Sequence, residues 1–286
     1  MIKTTTALKK NTTYRFGGIC NDFYTLNEKS EIDKIHNLNF DNEYFILGKG
    51  SNVVFSDKNY EGIVVQNKME NIDANFTNES INVDAGVYLP NLSRYLKDSD
   101  RTGGEYLLGI PGTVGGAIKM NAGCYGYEFM DSVNFITYFD TVDKKIKKTN
   151  SKNIKYSYRN TEIQNAIILS ANLSFEKADP IKIHNKMIEF TQHRKNTQPS
   201  AIYNAGSVFK NGSNYYAAEL IEKAGLKGYE IDGVKVSEKH SNFFIASKNA
   251  KALALYKLVN YVKEQVKSSY DIELKEEIIF IGEFLD

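Results

Sequence analysis

The sequence predicts an α+β fold, and three observations lead to this prediction. Strand-like and helix-like segments alternate irregularly along the 286 residues, without the βαβ repeat of a doubly wound sheet. Hydrophobic residues make up 42% of the chain and charged residues 25%, proportions typical of a globular protein. The length is sufficient for two domains, and we expect a division near Asp179–Pro180, where a helix is predicted to begin.

The composition argues against several classes of function. A net charge of +1 gives no overall field that would attract nucleic acid or an anionic membrane. No apolar run approaches the roughly 18 residues needed to span a bilayer, and the polar N-terminus shows no secretion signal, so we expect a cytoplasmic protein. Cys20, Cys124 and four histidines lack metal-ligand spacing, so no metal site is predicted. The oligomeric state stays open, and a monomer is compatible with the sequence.

The first hundred residues are predicted to contain short strands and two helices. Apolar residues at helical spacing predict a helix over 28–38. Short apolar runs between glycine-containing turns predict strands at 44–47, 53–55, 63–65 and 81–85. Pro90 fits the first turn of a helix that continues through Leu96.

The remaining two thirds begin with residues 103–126, which contain too many glycines to form one regular element. Strands are then predicted at 133–139, 145–148 and 166–175 as an antiparallel series, and later at 232–236, 243–246 and 272–282. Helices are predicted from residue 180, over 217–224 and over about 249–268. Gly225 is expected to end the second of these helices.

The first chemical signal directly follows an apolar strand and reads Gly48-Lys49-Gly50-Ser51-Asn52. Glycines let a backbone approach a ligand closely, and successive N–H groups in a tight turn bind anions. The dinucleotide fingerprint is incomplete because Val53 replaces its third glycine, and the lysine of a phosphate-binding P-loop is missing. Two interpretations therefore stay open, a tight structural turn and a phosphate site.

A second glycine-rich segment extends from Gly109 to Gly116 and includes Pro111, Gly112, Thr113 and Gly115. The sequence Met-Asn-Ala-Gly follows it at residues 120–123. Pro111 stiffens the turn, and the glycines permit backbone contact along an extended ligand. Two such segments indicate a diphosphate held from both sides, and a pair of sharp structural turns is the alternative.

Three polar residues further along the chain have chemistry but no decisive pattern. Arg159 stands out in a chain with few arginines, because arginine suits two-pronged carboxylate recognition. Ser207 follows Gly206, but the G-x-S-x-G pattern of a nucleophile elbow is absent. Glu277 lies on the predicted final strand. Composition alone does not distinguish these from a surface ion pair, a small residue in a bend and an outward-facing carboxylate.

Taken in order, eight segments resemble the UDP-N-acetylenolpyruvoylglucosamine reductase family. They are residues 13–18 (TYRFGG), 48–52 (GKGSN), 109–123 with the second glycine segment and MNAG, 158–161 (YRNT), 204–211 (NAGSVFKN), 220–229 (LIEKAGLKGY), 236–243 (VSEKHSNF) and 274–282 (LKEEIIFIG). Each is weak alone, but together they cover the chain nearly end to end. The short spacing between them is similar to the branch of the family without insertions near the substrate.

The resemblance implies a particular domain arrangement. A two-lobed FAD-binding domain of the vanillyl-alcohol-oxidase type would occupy residues 1–179, with lobes of about 1–70 and 71–179. A C-terminal α+β substrate-binding domain would occupy residues 180–286. FAD would be bound without a covalent link, with residues 48–52 and 109–116 around its pyrophosphate and ribityl chain.

The resemblance also implies the reaction. NADPH would reduce FAD, and the reduced flavin would pass hydride from N5 to the enolpyruvyl double bond of UDP-N-acetyl-3-O-(1-carboxyvinyl)-glucosamine. The product would be UDP-N-acetylmuramate, a peptidoglycan precursor. Ser207 would supply the proton, while Arg159 and Glu277 would stabilise the negative charge that develops beside the substrate carboxylate.

The substrate contacts are predicted in less detail. The resemblance places Asn211 near the substrate phosphates, although Gly212 stands where the family usually has proline. Tyr125 and Lys227 are further candidates for substrate binding, and a structural role fits each of them equally well. Neither the uridine-binding residues nor the basis of a preference for NADPH over NADH can be identified.

Two other functions are alternatives to this one. An alcohol or sugar oxidase on the same FAD-binding scaffold often carries a covalently attached flavin, for which Cys124 is the candidate residue. The other alternative is a nucleotide-binding module without catalysis. The Ser207 and Glu277 segments favour the reductase over both.

Overall fold

A computed structural model describes residues 1–73, 76, 79–200 and 203–285. Its internal contacts divide the chain into two compact units, each built from three separate segments. Unit 1 comprises Met1–Thr4, Asp22–Lys49 and Gly62–Arg194, and unit 2 comprises Thr5–Asn21, Gly50–Glu61 and Lys195–Asp286. The sequence predicts two contiguous domains that meet at residues 179 and 180. In the structure, the last boundary between the two units lies between Arg194 and Lys195.

The described residues form strands, α-helices and 3₁₀ helices. The strands are β1 (Ile2–Ala7), β2 (Ile19–Leu26), β3 (Tyr44–Leu47), β4 (Val53–Phe55), β5 (Tyr60–Asn67), β6 (Ser80–Asp84), β7 (Gly123–Cys124), β8 (Tyr127–Glu128), β9 (Val133–Asp140), β10 (Lys145–Asn150), β11 (Tyr156–Ser157), β12 (Asn160–Thr161), β13 (Ala166–Ser174), β14 (Glu230–Ile231), β15 (Val234–Val236), β16 (Phe244–Ala246) and β17 (Ile279–Ile281). The α-helices are α1 (Leu89–Asp98), α2 (Val114–Met120), α3 (Pro180–Thr197), α4 (Ala217–Lys223) and α5 (Ala252–Tyr270). The 3₁₀ helices are Leu8–Asn11, Lys29–Asn37, Glu105–Gly109, Phe129–Ser132 and Ser151–Asn153.

The sheets confirm the α+β prediction. Two four-stranded sheets have the strand orders β1-β2-β5-β3 and β10-β9-β13-β6, and a three-stranded sheet has the order β14-β15-β16. The predicted antiparallel series is confirmed, because β9 pairs antiparallel with both β10 and β13. The remaining pairs are β17 with β4 in parallel and the short antiparallel pairs β7 with β8 and β11 with β12.

Unit 1 buries both faces of the sheet that contains β13. Ile168 packs into one apolar cluster together with α1 and α2, while Ile167 and Leu169 pack into a second cluster on the opposite face. This alternation is what a strand with a period of two residues produces. The first cluster supports the segment that leads into α2, and so fixes the base of the second glycine segment.

Unit 2 is organised around α5. Leu255, Val259, Val262 and Val266 are fully buried and lie at helical spacing on the face that packs against the rest of the unit 2 core. The N-terminal part of the chain contributes to the same core, because the hydroxyl of Tyr14 donates to the carbonyl of Phe244 at 2.9 Å. This core underlies the segments that carry Ser207 and Glu277.

Four local predictions were wrong or incomplete. The helix over 28–38 is a 3₁₀ helix, and β1 and β2 were not predicted, because their exposed residues leave little apolar alternation. The glycine-rich stretch contains α2, which was also missed. The final strand spans only Ile279–Ile281, so Glu277 is not on it. Leu274 and Ile278 are buried in the core of unit 2, which accounts for the apolar pattern that suggested a longer strand.

Candidate active site

Within unit 1, the two predicted glycine segments meet. Gly48 directly follows β3, which runs parallel to β5 with Leu47 opposite Gln66. A side-chain carbon placed on Gly48 would lie 2.6 Å from Oγ1 of Thr113 in the second segment. Any larger residue at position 48 would therefore push the two segments apart, which explains the glycine there.

The rest of the first segment is held by different neighbours. Gly50 has a φ of +64°, and a side-chain carbon there would overlap the carbonyl oxygen of Asn11. In unit 2 the side-chain amide of Asn52 donates to the carbonyl of Glu277 at 3.0 Å, while Ser51 is half-buried. Lys49 is exposed, with Nζ 5.4 Å from the centre of the Tyr88 ring in unit 1.

The second segment is a turn that leads into α2. Thr113 caps this helix, since its hydroxyl accepts from the backbone N–H of Gly116 at 3.3 Å. The N–H of Gly115 donates to Ala85 at 2.8 Å, and the N–H of Gly112 donates to Ile110 at 2.8 Å. These N–H groups already donate to acceptors within the protein. The segment therefore offers a ligand a backbone surface with few side chains, and not a row of free N–H donors. Pro111 and Gly112 are half-buried.

Gln66 beside Gly48 tests whether the site suits a nucleotide cofactor. Its side-chain N–H donates to the carbonyl of Gly48 at 3.0 Å. Its side-chain oxygen is buried and has no hydrogen-bond partner among the residues that the structure describes. A buried acceptor without a partner costs about 1–3 kcal/mol, and a ligand that carries a hydroxyl or N–H group would remove this cost. The ribityl chain and flavin ring of FAD carry such groups, so these residues fit that cofactor.

Arg159 lies at the tip of a hairpin in unit 1. The strands β11 and β12 contain two residues each, and Tyr158 and Arg159 form the turn between them. Arg159 adopts the left-handed conformation, with a φ of +54°, which is unfavourable for a residue other than glycine. Its Nη2 donates to the carbonyl of Gly123 at 2.6 Å, so the guanidinium lies beside the segment that follows α2.

Two residues that are not among the predicted site residues hold this hairpin in place. Asn121 is fully buried, and its side-chain amide donates to the carbonyl of Ser157 at 3.0 Å and to the Glu128 carboxylate at 2.8 Å. Thr161 donates its hydroxyl to the carbonyls of Ile118 and Lys119 at the end of α2. Both residues belong to segments that carried the family resemblance, which was the available signal.

Cys124, the candidate attachment point for a covalent flavin, lies next to the arginine contact. Burial raises the pKa of the Cys124 thiol to about 11, although Arg194 and Arg159 act in the opposite direction. Its sulfur lies 3.9 Å from the carbonyl oxygen of Tyr106. A thiol that stays protonated is a poor nucleophile, so this environment does not support the attachment of flavin.

Ser207 and Glu277 are brought together in unit 2. The backbone N–H of Glu277 donates to the carbonyl of Val208 at 2.7 Å, so the two predicted catalytic residues lie on neighbouring extended segments. Gly206 has a φ of +80°, and the position of its missing side chain is open space. Both Ser207 and Glu277 are half-buried.

A second buried asparagine fixes the Ser207 segment, and it too escaped sequence reasoning. The side-chain oxygen of Asn242 accepts from the N–H of Phe209 at 2.9 Å, and its amide donates to the Phe209 carbonyl at 2.8 Å. The Asn242 carbonyl also accepts from the N–H of Val208 at 2.8 Å. Ser207 therefore precedes a backbone stretch that is held on both sides.

The three predicted substrate-binding residues all have protein partners. In unit 2 the side-chain oxygen of Asn211 accepts from the N–H of Ala217 at the start of α4, at 3.0 Å, and Lys227 forms an ion pair with Glu222 at 2.7 Å. In unit 1 Tyr125 stacks on Phe190 with a centroid distance of 4.3 Å. Their role in substrate binding stays a prediction.

Gly212, the departure from the family pattern, has a local explanation. Its N–H donates to the carbonyl of Tyr215 at 3.1 Å, and a proline has no N–H to give. A side chain at this position would also overlap the Tyr215 ring. The turn after Asn211 is thus closed by a contact that requires a residue other than proline.

Among the residues that the structure describes, no group of three or more histidine, cysteine, aspartate or glutamate side chains is arranged to hold a metal ion. None of the helices in the described parts of the chain is both long enough and apolar enough to cross a membrane.

Comparisons with known proteins identify the family of the chain. Residues 35–145 match the model of an FAD-binding domain, and residues 198–281 match the C-terminal domain of UDP-N-acetylenolpyruvoylglucosamine reductase. Proteins named UDP-N-acetylenolpyruvoylglucosamine reductase are similar along almost the whole chain. The one from Caldanaerobacter subterraneus is 38% identical and covers 96% of this chain and 92% of its own, and the one from Clostridium novyi is 36% identical and covers 99% and 92%.

A solved structure gives the same result. The crystal structure of UDP-N-acetylenolpyruvylglucosamine reductase from Thermus caldophilus superimposes with a TM-score of 0.86 at 28% identity. The match covers 99% of this chain and 100% of that one. Fold and sequence comparisons therefore point to one family.

Proposed function

This chain belongs to the UDP-N-acetylenolpyruvoylglucosamine reductase family, and we propose that it reduces the enolpyruvyl double bond of UDP-N-acetyl-3-O-(1-carboxyvinyl)-glucosamine with electrons from NADPH. It is an FAD-dependent oxidoreductase. The observation that carries the catalytic proposal is the hydrogen bond from the N–H of Glu277 to the carbonyl of Val208, because it holds the Ser207 and Glu277 segments side by side. The product would be UDP-N-acetylmuramate, a precursor of peptidoglycan, made in the cytoplasm.

When bound, FAD would supply the redox chemistry that carries hydride from NADPH to the substrate. Gly48, with Gln66 beside it, and the segment from Pro111 to Gly116 would hold this cofactor. Lys49, Gly50, Ser51 and Asn52, the remaining members of the first segment, are further candidates for binding the cofactor. Gly48 and Gly115 let the backbone pack closely here, because a side chain at Gly48 would meet Thr113 and one at Gly115 would meet Ala85.

Ser207 supplies the proton that completes the reduction. Hydride addition to the terminal methylene carbon turns it into a methyl group and leaves a negative charge on the carbon that bears the carboxylate. The Ser207 hydroxyl donates its proton to that carbon, so one hydride and one proton are added across the double bond. Serine is a weak acid, so its hydroxyl has to be positioned within about 3 Å of the acceptor carbon.

Arg159 and Glu277 stabilise the charge before it is protonated. The guanidinium of Arg159 stays positively charged and can contact both oxygens of a carboxylate. Glu277, protonated or acting through a water molecule, polarises the same carboxylate. Asn211, Tyr125 and Lys227 would contact the sugar nucleotide further from the reacting carbons.

Substitution of Ser207 by alanine tests the proposal by separating the two half-reactions. Flavin reduction by NADPH should proceed at the wild-type rate, whereas oxidation of the reduced flavin by the enolpyruvyl substrate should slow by about 10²–10⁴-fold. Rapid mixing under anaerobic conditions, followed by visible absorption, measures both rates.

Ser213→Ala is the matched control, because Ser213 is exposed in the same part of the chain, and both half-reactions should be unchanged. Near-normal substrate reduction by Ser207→Ala would remove Ser207 from the mechanism. A colourless purified protein that does not take up FAD on reconstitution would overturn the proposed function as a whole.

A further inference from the structure

In unit 2, one lysine of helix α5 is bound to the residue that directly precedes Glu277. Nζ of Lys263 donates to Oε1 of Glu276 at 2.7 Å, and the two side chains form an ion pair. They are only 27% and 31% exposed, so the solvent screens this pair less than a pair at the open surface. The helix thus restrains Glu276 through its side chain.

The backbone around Glu277 forms a β-bulge. Glu276 forms an isolated antiparallel bridge with Phe209. The N–H groups of Glu277 and Ile278 then both donate to the carbonyl of Val208, at 2.7 and 3.4 Å. Two residues therefore oppose one, which is the pattern of a bulge, and bulges re-aim side chains beside active sites. The direction of the Glu277 side chain depends on this irregularity.

The bulge has to be held against a change of register. A shift of the pairing by one residue would turn the Glu277 side chain to the other face, because side chains alternate along an extended backbone. Contacts on both sides oppose such a shift. The side-chain amide of Asn52 donates to the Glu277 carbonyl at 3.0 Å, and Ile278 is buried in the core of unit 2. Lys263 acts on the residue before the bulge, Glu276.

Lys263 is a firm anchor because the helix that carries it is fixed in the core. Val259, Val262 and Val266 of α5 are fully buried, and Lys263 directly follows the second of them. Ion pairs that are not fully buried contribute little to stability, whereas a small displacement of a catalytic group has a large effect on rate. The position of this pair therefore favours a role in the reaction over a role in folding.

We propose that Lys263 is a positioning residue that orients the Glu277 carboxylate toward the substrate by holding Glu276 at the start of the bulge. This inference rests on the proposed function, since the role of Glu277 in that reaction is its premise. Lys263 acts through Glu276 and not on the substrate. Its effect is confined to the half-reaction in which the substrate takes up hydride, because Glu277 has no role in the reduction of flavin by NADPH.

Lys263→Met tests the proposal, because methionine keeps a long apolar side chain on the helix and removes the charge. The rate at which the substrate oxidises the reduced flavin should fall about tenfold, less than the roughly 10²-fold that a displacement of 1 Å can cause. Anaerobic rapid mixing measures this rate together with the rate of flavin reduction by NADPH, which should be unchanged. Lys267→Met, at an exposed position of the same helix, is the control and should match the wild type in both rates.

Two further variants separate positioning from a general loss of structure. Exchange of the two charges, Lys263→Glu with Glu276→Lys, restores an ion pair between the same positions and should recover most of the lost rate. In a Glu277→Ala background, Lys263→Met should cause no further slowing, because the carboxylate that Lys263 orients is absent.

A wild-type rate of flavin oxidation by the substrate in Lys263→Met overturns the proposal. Equal slowing of both half-reactions, or the full additional loss in the Glu277→Ala background, overturns it as well. Should Lys263→Met fail to fold, Glu276→Met removes the same ion pair from the other side, and the same outcomes decide. Absence of substrate reduction by the wild type would instead contradict the proposed function, so the two failures are distinguishable.

Discussion

Units 1 and 2 hold their predicted catalytic side chains in different ways. In unit 1, Arg159 projects from a hairpin turn in the left-handed conformation, and a side-chain hydrogen bond to Gly123 orients its guanidinium. In unit 2, Ser207 and Glu277 lie on extended segments that are linked through their backbones. A long arginine side chain can be oriented by its own hydrogen-bond donors, whereas the position of a short serine side chain is set by the backbone.

The two units share one device in spite of this difference. Each uses a buried asparagine, Asn121 in unit 1 and Asn242 in unit 2, to pair backbone groups that no regular sheet would satisfy. The side-chain amide offers both donors and an acceptor, so it can replace a missing strand neighbour. Irregular segments are thereby fixed at the positions where catalytic side chains are expected.

The largest effect is expected from Arg159→Lys, which tests the contribution of the unit 1 arginine to substrate reduction. Lysine cannot hold Gly123 and a carboxylate in the same planar geometry, so we expect the rate of substrate reduction to fall by about 10²–10³-fold while flavin reduction by NADPH persists. Anaerobic single-turnover kinetics measures both rates, with Arg94→Lys as the control. A loss below about tenfold would contradict a need for the two-pronged geometry of arginine, because lysine keeps the positive charge.

Alkylation of Cys124 tests whether burial or the nearby arginines determine the pKa of this thiol in unit 1. A pKa of about 11 leaves the thiol protonated at neutral pH, so iodoacetamide should modify it about a hundredfold more slowly at pH 8 than a free cysteine. The rate should rise as the pH approaches the pKa, because only the thiolate reacts. Peptide mapping by mass spectrometry reports on this residue separately from Cys20.

Rapid modification near pH 8 would show that Arg159 and Arg194 outweigh burial at Cys124.

The same environment predicts how the cofactor is attached. After acid precipitation of the holoprotein, FAD should remain in the supernatant, since a protonated thiol does not form a covalent link. A yellow pellet would favour the alternative function as a flavin-dependent oxidase.

Gly48→Val tests whether the close contact between the two glycine segments in unit 1 determines how tightly FAD binds. The valine side chain would collide with Thr113, and overpacking of this kind costs about 1–3 kcal/mol, so FAD should bind about 10–100-fold more weakly. Lys145→Val, at an exposed position of β10 outside both segments, is the control and should bind FAD like the wild type. Equal FAD affinity in Gly48→Val and the wild type would contradict this account of the glycine.

The smallest expected effects compare the two asparagines directly. Asn121→Ala and Asn242→Ala each leave buried backbone groups without partners, at a cost of about 1–3 kcal/mol for each group. Urea denaturation should show a lower free energy of unfolding for both variants, and the exposed Asn91→Ala should match the wild type. If only one variant is destabilised, the proposed equivalence of the two asparagines is wrong.

Sequence reasoning succeeded where local chemistry decides the outcome. The strand before Gly48 and the close backbone approach at this glycine were predicted together, because glycines directly after a strand indicate such an approach. The antiparallel strands β9, β10 and β13 were predicted from their alternation, and the end of α4 was predicted from Gly225, which has a φ of +72°.

Sequence reasoning failed where distant contacts decide the outcome. Residues 272–278 have the apolar content of a strand, but Leu274 and Ile278 are buried by packing on unit 2 rather than by sheet pairing. The predicted boundary at residues 179 and 180 places the whole of helix α3 in the C-terminal domain, whereas Phe190 and Arg194 contact Tyr125 and Gly109 within unit 1. Neither contact leaves a pattern within a short window of sequence.

The sequence by itself determined the α+β class, the positions of the glycine segments and the family resemblance, because backbone conformation and alternation are encoded in neighbouring residues. Only the tertiary structure decided that Thr113 faces Gly48, that Glu277 pairs with Val208 and that Arg194 lies on Gly109 without an acidic partner in the described chain. These pairings join residues far apart in the chain, and they depend on which apolar faces are buried together.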